Sequence, residues 1–410
     1  MAAEYTGLLL KGGKVIDPAN NFNGTADVYI KNGLIKAVGK NLPVTVSDVV
    51  IDISGLLVTP GLVDIHTHLF ASTGVPGSWA GDWSVYPDSF SFRSGTTTMV
   101  DAGSAGWKNF DHFRATIIER SKTRVLSFLN IVSVGMLTEE TEQAHSCYQV
   151  AEAVKAAEKH SDIIVGIKTA HYQPPDWFAV DTAVEAGNQA NLPVMVDFGY
   201  FRTERPYWEL VENRLRPGDI STHCFRGPVP VINKSGRVFD YIFRAHDKGV
   251  LFDLGHGCGS FLFRNAVPAI KGGYPLDSIS TDLHVLSMNT HMIDMPTTMS
   301  KMLAAGLSLE DVIRKSTCSP AKIVGHPELG TLTVGGAADI AVWNLESGEF
   351  GFSDISNGYL AGSERFRCEM TIKDGEVLWD WNSRSSLNYT EEGELSGVRE
   401  GLEFLIFPEE

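Results

Sequence analysis

Apolar runs and amphipathic segments alternate through the middle of this chain, whereas both ends show short strands separated by turns. Continuous apolar runs of this kind are typical of parallel strands that are buried on both faces. Helical segments lie between the runs, for example residues 150–158 and 179–190. The eight runs are residues 62–65, 97–100, 125–131, 163–167, 194–196, 220–222, 251–254 and 279–281.

This pattern predicts an α/β fold, a (β/α)₈ TIM barrel, with a small β-sandwich domain formed by both chain ends. The central stretch is close to the roughly 250 residues typical of such a barrel. Asn32-Gly33 between two apolar runs is a strong hairpin signal, and residues 330–343 and 371–378 repeat the strand-and-turn pattern. We divide the chain into residues 1–59, the first part of the sandwich, 60–320, the barrel, and 321–410, the second part with a C-terminal tail.

Composition narrows the class of partner. Lys and Arg total 34 against 50 Asp and Glu, so the net charge of −16 repels nucleic acid and anionic membranes. No apolar stretch reaches the roughly 20 residues of a membrane span, and the first residues carry no secretory signal pattern. We expect a cytoplasmic protein with no nucleic-acid or membrane partner. Its five scattered cysteines argue against a disulfide framework.

Seven of the eight runs lead directly into polar or ionisable residues, which a barrel gathers at one mouth. The most informative are His66 and His68, because residues two apart on a strand point the same way. Two such imidazoles can hold Zn²⁺, Mn²⁺ or Fe²⁺, although histidines also lie at strand ends without any metal. The others that follow the runs are Asp101, Lys168, Asp197, His223, His256, Asp282 and His284.

Three longer segments resemble one known family, the amidohydrolase superfamily of metal-dependent hydrolases, and the likeness covers nearly the whole chain. They are residues 58–68, 319–325 and 330–340. Residues 94–106 are similar to its dihydroorotase-like subgroup. The resemblance implies a barrel that carries one or two divalent metal ions and a β-sandwich built from both chain ends.

By the same resemblance, His66 and His68 match the ligands of the more buried ion, and Asp282 matches the carboxylate after the eighth strand. Lys168 matches a lysine that CO₂ carboxylates to bridge two metals; the alternative is a cation that binds a substrate carboxylate. His223 matches a ligand of the outer ion, or else is a core histidine bonded to backbone. Zinc is the expected metal, with manganese or iron as alternatives.

The fifth strand departs from the family pattern, which has His where this chain has Asp197. A carboxylate there can still bind the outer ion, with harder oxygen character that favours Mn²⁺ or Mg²⁺. Alternatively Asp197 is too short to reach, and the outer site is weak, empty or completed by His171. The sequence leaves these readings open.

The expected chemistry is hydrolysis. A metal-bound water loses its proton near neutral pH and attacks a carbonyl, and Asp282 takes the remaining proton and passes it to the leaving group. His256 is a candidate for holding the oxyanion, or a turn histidine, and His284 is a candidate for contacting substrate. Arg226 is a candidate for gripping a substrate carboxylate.

One substrate is argued against. Dihydroorotases of this family place an Arg two residues after the second His, where this chain has Phe70, so an anion grip becomes an apolar surface. Aromatic residues in the segment that follows, such as Trp79 and Trp83, suggest a lid over an apolar or aromatic acyl substrate, or plain packing.

We therefore expect a metal-dependent hydrolase of an amide or ester bond in a small acyl substrate. A heterocycle deaminase is the alternative enzyme, which Lys168 disfavours because such enzymes of the family use one ion without a bridging lysine. A non-catalytic barrel homologue is the alternative class, and it would have gaps among His66, His68 and Asp282. The sequence leaves a homo-oligomer open.

Overall fold

The computed structural model describes residues 7–391, and its strands form two sheets. The first six residues, and residues 392–410 of the predicted C-terminal tail, lie outside that range. In chain order the strands are β1 Gly7–Asp17, β2 Phe22–Lys31, β3 Leu34–Gly39, β4 Asp48–Asp52, β5 Leu57–Pro60, β6 Leu62–Thr67, β7 Thr96–Gly106, β8 Arg124–Asn130, β9 Ile164–Thr169, β10 Val194–Asp197, β11 Ile220–Thr222, β12 Leu251–Phe252, β13 Ile340–Ser353, β14 Tyr359–Lys373 and β15 Glu376–Asp380.

Strands from both chain ends form one sheet of eight, in the order β15-β14-β13-β5-β1-β2-β3, with β4 paired to β1. The predicted hairpin is confirmed: Asn32 and Gly33 join β2 to β3 with positive φ angles of 53° and 73°, as a tight hairpin turn requires. The antiparallel pair β5 and β13 connects the two ends of the chain. The arrangement of these strands as a sandwich stays a prediction.

The second sheet is the barrel, in which β6 to β12 pair in parallel, each with the next in sequence. Each strand overlaps one of the first seven predicted runs. Their side chains are buried along almost the whole of each strand, because helices cover one face and the other faces the barrel interior. The carboxyl ends of the strands therefore meet at one rim.

The predicted eighth strand, residues 279–281, is not formed as a strand. Single bridges join Ser278 to Asp253 and Leu283 to Thr67, so the segment still lies between β12 and β6. Asp282 has a left-handed φ of 51°, which interrupts the extended backbone that a strand needs. The sheet is thus TIM-barrel-like, with its last position filled by an irregular segment.

Helices connect the barrel strands, and the two predicted ones correspond to α3 and α4. Within residues 7–391 no helix is long and apolar enough to cross a membrane. The helices are α1 Phe110–Thr116, α2 Glu139–Gln143, α3 Val150–Lys159, α4 Phe178–Ala190, α5 Tyr207–Glu209, α6 Asp240–Asp247, α7 Phe263–Lys271, α8 Val285–Met288, α9 Met295–Ala305, α10 Leu309–Ser316 and α11 Cys318–Ile323.

The end sheet packs directly on the barrel. Trp343 of β13 is fully buried, and its indole Nε1 donates to Thr59 Oγ1 at 2.9 Å. Gly95, before β7, lies against this ring, since a Cβ there would be 2.3 Å from Trp343 Cη2. Arg124 of β8 also forms ion pairs with Asp339 and Asp374. The sheet and the barrel therefore share apolar and charged contacts.

Candidate active site

Three potential metal ligands converge at the carboxyl rim of the barrel: His66, His68 and Asp282. Asp282 Oδ1 is 3.6 Å from His66 Nε2 and 3.1 Å from His68 Nε2, and one donor atom from each residue lies within 4.8 Å of the other two. All three residues are buried. Two imidazoles and a carboxylate around one point are a donor set that suits Zn²⁺ and similar divalent ions.

The local backbone explains why these side chains meet. His66 and His68 follow each other on one side of the end of β6, and the His68 N–H donates to the carbonyl of Leu283 at 2.9 Å, which ties that strand end to the eighth segment. Gly257 makes room for Asp282, because a Cβ at this glycine would lie 2.3 Å from Asp282 Oδ2. The site thus depends on close backbone approach at one turn.

The charge states of His66 and Asp282 match those of metal ligands. Burial, with the nearby positive charge of Lys168, lowers the pKa of His66 to about 3, so the ring stays neutral. Burial opposes ionisation of Asp282, but His66, His284 and His68 together bring its pKa below the ordinary value. A neutral imidazole and an ionised carboxylate are the forms that bind metal.

Lys168 lies at the end of β9 beside the three ligands, and its side chain is fully buried. Its Nζ is 3.5 Å from His66 Nε2. Gly103 lies against its stem, since a Cβ there would be 2.6 Å from Lys168 Cβ. Burial lowers the pKa of Lys168. The lowered pKa favours the free amine, which is the form that can react with CO₂.

Asp197, the departure from the family pattern, ends β10 and faces the same cavity. Its Oδ2 is 3.4 Å from His223 Nε2 and 3.5 Å from His171 Nε2, and its Oδ1 accepts from Arg226 Nη1 at 2.8 Å. Burial opposes ionisation, yet Arg226 and His223 hold the pKa of Asp197 well below its usual range. The carboxylate therefore carries a charge in the cavity.

The two histidines beside Asp197 each have a hydrogen-bond partner at Nδ1. His223 Nδ1 lies 2.6 Å from the carbonyl of Gly255; since a carbonyl only accepts, Nδ1 carries a proton and donates it to this carbonyl. His171 Nδ1 contacts Glu142 at 3.0 Å. Although burial acts against it, Glu142 and Asp197 raise the pKa of His171 to about 9. No pattern in the sequence pointed to Glu142, which lies in the short helix α2.

A cavity with about 430 Å³ of empty space, part of it open to solvent, is lined by the three potential ligands, Lys168, Asp197 and the two histidines beside it. His284 and Arg226, both predicted to contact substrate, lie in its wall. Trp79 of the predicted aromatic lid also lies there, with its ring 4.5 Å from that of His284. The wall residues that the sequence did not single out are Met136, Cys258, Gly259 and Ser260.

Two predicted site residues are not brought to this cavity. Phe70 is fully buried and packs on Phe113, with ring centres 4.9 Å apart, because the chain turns the side chain toward α1 after β6. His256 is also fully buried: its Nδ1 donates to the carbonyl of Gly257 and its Nε2 accepts from Lys301 at 2.9 Å. Neither ring lines the cavity wall. Asp101 likewise points to backbone, accepting from the N–H groups of residues 69, 103 and 104.

Comparison with known proteins agrees with this geometry. Residues 263–378 match the model of the amidohydrolase family. A protein of Brucella anthropi named deacetylase is 35% identical over 359 residues, which are 82% of this chain and 83% of that protein. The crystal structure of an adenine deaminase superposes with a TM-score of 0.81 at 27% identity, covering 91% of this chain and 99% of its own.

A dihydroorotase crystal structure superposes with a TM-score of 0.79 at 30% identity, over 92% of this chain and 98% of its own. The predicted resemblance is thus confirmed over most of the chain. The chain belongs to the amidohydrolase superfamily, has dihydroorotase-like relatives, and is a metal-dependent hydrolase that acts on C–N bonds of small molecules.

Proposed function

We propose that this enzyme removes a short acyl group from the nitrogen of a small amide, and so acts as a deacetylase. The observation that carries the proposal is the convergence of His66, His68 and Asp282 in the wall of one cavity. Relatives that cover most of the chain, from Brucella anthropi and Enterococcus faecalis, are named deacetylases. An ester of similar shape is the second substrate class.

His66, His68 and Asp282 would hold the ion. When bound, a divalent cation supplies Lewis acidity, which lowers the pKa of an attacking water and polarises the scissile carbonyl. Asp282 presents Oδ1 to the two histidines, so Oδ2 is the oxygen that accepts the proton of the water. The same oxygen then donates that proton to the leaving nitrogen.

The outer part of the site is proposed to hold a second ion through His223, Asp197 and a carbamylated Lys168. His223 Nε2 and Asp197 Oδ2 are 3.4 Å apart at the cavity wall. Substituting Asp197→His tests this site. If the carboxylate is a ligand, the metal preference should move toward Zn²⁺ with occupancy still high; if the outer site is normally vacant, metal content should rise from about one ion toward two. If neither change is observed, Asp197 is not part of the metal site.

His284 is proposed to donate a hydrogen bond to the substrate. Its Nδ1 accepts from the Ser287 N–H, so in the neutral ring the proton is on Nε2. Burial lowers the pKa of His284 to about 4, which keeps the ring neutral. Among the described residues its Nε2 has no hydrogen-bond partner although it is buried. An unpartnered buried donor in the cavity wall is suited to a carbonyl oxygen of substrate.

Arg226 is proposed to bind a carboxylate on the substrate. One of its terminal nitrogens is held by Asp197, which fixes the guanidinium and leaves its other N–H groups for a ligand. Trp79, in the wall of the same cavity, would cover the acyl group. A carboxylated amide with a small acyl group, such as an N-acetyl amino acid, combines these features.

A heterocycle deaminase remains the second candidate, because an adenine deaminase is among the structures most like this one. The two reactions release different products. Deacylation yields a carboxylic acid and an amine, whereas ring deamination yields ammonia. The position of Lys168 beside the three ligands favours deacylation over ring deamination.

The test is a product-resolved screen of purified protein whose metal content has been measured. N-acetyl amino acids, O-acetyl hydroxy acids, cyclic ureides and amino-substituted heterocycles are supplied separately, and acetate, ring opening and ammonia are measured. We expect acetate from an amide. Asp282→Asn should retain the fold and lose activity by far more than tenfold, which is about 1.4 kcal/mol of barrier. Ammonia from a heterocycle, or activity of Asp282→Asn within tenfold of the wild type, would contradict the proposal.

Several finer assignments belong to the same proposal. We propose zinc as the resident metal, a cytoplasmic location, and a division into barrel and end domain at residues 59–60 and 320–321, with the end strands arranged as a sandwich. A homo-oligomer is left open by the sequence. Metal analysis, limited proteolysis and sedimentation address these points separately.

A further inference from the structure

A chain of buried hydrogen bonds runs from His66 away from the cavity. His66 Nδ1 is 2.9 Å from Thr222 Oγ1, and the Thr222 hydroxyl donates to Asp253 Oδ2 at 2.7 Å. The three residues come from β6, the end of β11 and the end of β12, and all are buried. Three strands of the barrel therefore meet behind one metal ligand.

The direction of these bonds follows from Asp253. Its carboxylate also accepts from Ser280 Oγ at 2.8 Å and from Ser278 Oγ at 2.5 Å. Three hydroxyl groups thus donate to this one side chain, an arrangement that suits an ionised carboxylate. An ionised carboxylate can only accept hydrogen bonds. The single proton of the Thr222 hydroxyl is therefore directed at Asp253.

The hydroxyl oxygen of Thr222 then has only lone pairs left for His66. A neutral imidazole carries one proton, on one of its two nitrogens. The proton of His66 must lie on Nδ1 to satisfy Thr222, which leaves the lone pair on Nε2. Nε2 is the nitrogen that faces Asp282 and Lys168. The ring therefore presents a lone pair, and not an N–H group, to the cavity.

We propose that Thr222 and Asp253 are positioning residues that set the tautomer and orientation of His66 for metal binding. They touch neither the cavity nor a substrate. Partners behind ligating histidines commonly change metal affinity by 10- to 100-fold when they are removed. The inference rests on the metal site of the proposed function but not on the identity of the acyl substrate.

The first measurement needs no variant. Nitrogen-15 NMR of metal-free wild-type protein, with the His66 signals assigned by comparison with His66→Gln, distinguishes a protonated from an unprotonated ring nitrogen. We expect the proton on Nδ1 of His66. A spectrum with the proton on Nε2 would overturn the inference, whatever the variants do.

The second measurement is zinc affinity by competition with a chromophoric chelator. Thr222→Val keeps the side-chain shape but removes the hydroxyl, and we expect a 10- to 100-fold weaker affinity together with mixed His66 tautomers. Thr222→Ser, which keeps the hydroxyl, should restore both. The matched control is Thr98→Val on β7, a buried threonine whose hydroxyl only accepts from Arg124; its affinity should equal that of the wild type.

Asp253→Asn tests the direction of the hydrogen bonds separately from the presence of the contact between residues 253 and 222. The amide can donate to Thr222, so the hydroxyl is free to turn and donate to His66 Nδ1, which moves the ring proton to Nε2. We expect the weakest zinc affinity here, and no further loss when Thr222→Val is added. Wild-type affinity in Thr222→Val would overturn the inference. Normal zinc binding with these tautomers but no hydrolysis of any acyl substrate would overturn the proposed function alone.

Discussion

At the scale of single residues, the site consists of buried ionisable groups whose pKa values are shifted by burial and by one another. His66 is kept neutral with a pKa of about 3, and Lys168 has a lowered pKa in the same cavity. Asp197 and Asp282 stay ionised because cationic and imidazole groups surround them. This combination favours metal binding, since cations compete with protons for the same lone pairs.

Lys168 allows the first prediction. If its carbamate bridges two ions, Lys168→Ala should lose at least the outer ion, and turnover should fall with it. Short carboxylic acids such as propionate should partly restore both, because a free carboxylate can occupy the space left by the lysine. Metal analysis and activity with and without acid are the measurements. Metal content equal to that of the wild type would refute the carbamate.

Lys301 of α9 allows a prediction about pH. Burial lowers its pKa to about 7, whereas in an unfolded chain it is about 10.4. Between these values the unfolded state binds more protons, so this residue makes the protein more stable as pH rises from 7 and less stable as pH falls. The effect is at most about 1.4 kcal/mol per pH unit.

Lys301→Met keeps the side-chain length and removes the titration. We expect a lower Tm than the wild type, because His256 Nε2 and the His291 carbonyl lose their donor. The gap between the two proteins should widen from pH 7 to pH 9. The exposed Lys155→Met is the control and should follow the wild type. Parallel curves for Lys301→Met and wild type would mean that Lys301 does not titrate in this range.

The sequence predicted which three side chains converge at the rim, but not the residues that contact them. His66, His68 and Asp282 were found because strand periodicity and strand ends place them at one rim. His256 was assigned to the cavity because it follows an apolar run, and Phe70 because dihydroorotases carry an Arg at its position. Both side chains point away from the cavity, since spacing along the chain does not say which side of the rim a turn faces. The partner of His256 is Lys301, 45 residues further on, a contact that no local pattern reveals.

At the scale of elements, the eighth position of the barrel shows where a strand prediction fails and why. Residues 279–281 have strand-like composition, but Asp282 takes a left-handed conformation with φ of 51°. Asp64 then accepts from the Thr281 N–H at 3.1 Å, a side-chain bond in place of a regular strand pairing. The apolar pattern identifies the run, but it contains no information about the left-handed backbone at Asp282.

Gly257 provides the prediction at this scale. Its φ is 55°, and a Cβ would lie 2.3 Å from Asp282 Oδ2. Gly257→Ala should therefore displace the Asp282 carboxylate and weaken metal binding, besides a cost of about 1–2 kcal/mol for the left-handed backbone. Gly273→Ala is the control: its φ is 78°, and a Cβ there meets nothing within 4 Å. It should lose similar stability and keep its metal. Equal metal affinity in the two variants would contradict the steric argument.

At the scale of the whole molecule, the barrel and the end sheet are joined at several points. β5 of the sheet runs into β6 of the barrel across Gly61, so the strand that carries His66 begins at the junction. Trp343, fully buried, packs on Phe366 and on the turn before β7. Because the contacts cross between both parts, we expect them to unfold together.

Trp343→Ala tests that coupling at a residue that does not line the cavity. Removing a buried indole from a packed interior costs about 3–5 kcal/mol, and here the Thr59 hydroxyl also loses its donor. We expect a single denaturant transition at a lower midpoint, with turnover per folded molecule unchanged. Trp381→Ala is the control, because that ring is 53% exposed and surface changes are usually within about 0.5 kcal/mol. Two separate transitions in Trp343→Ala, with the second matching the wild type, would show that the barrel is stable without the sheet, and the shared contacts would then not explain why both chain ends pack on it.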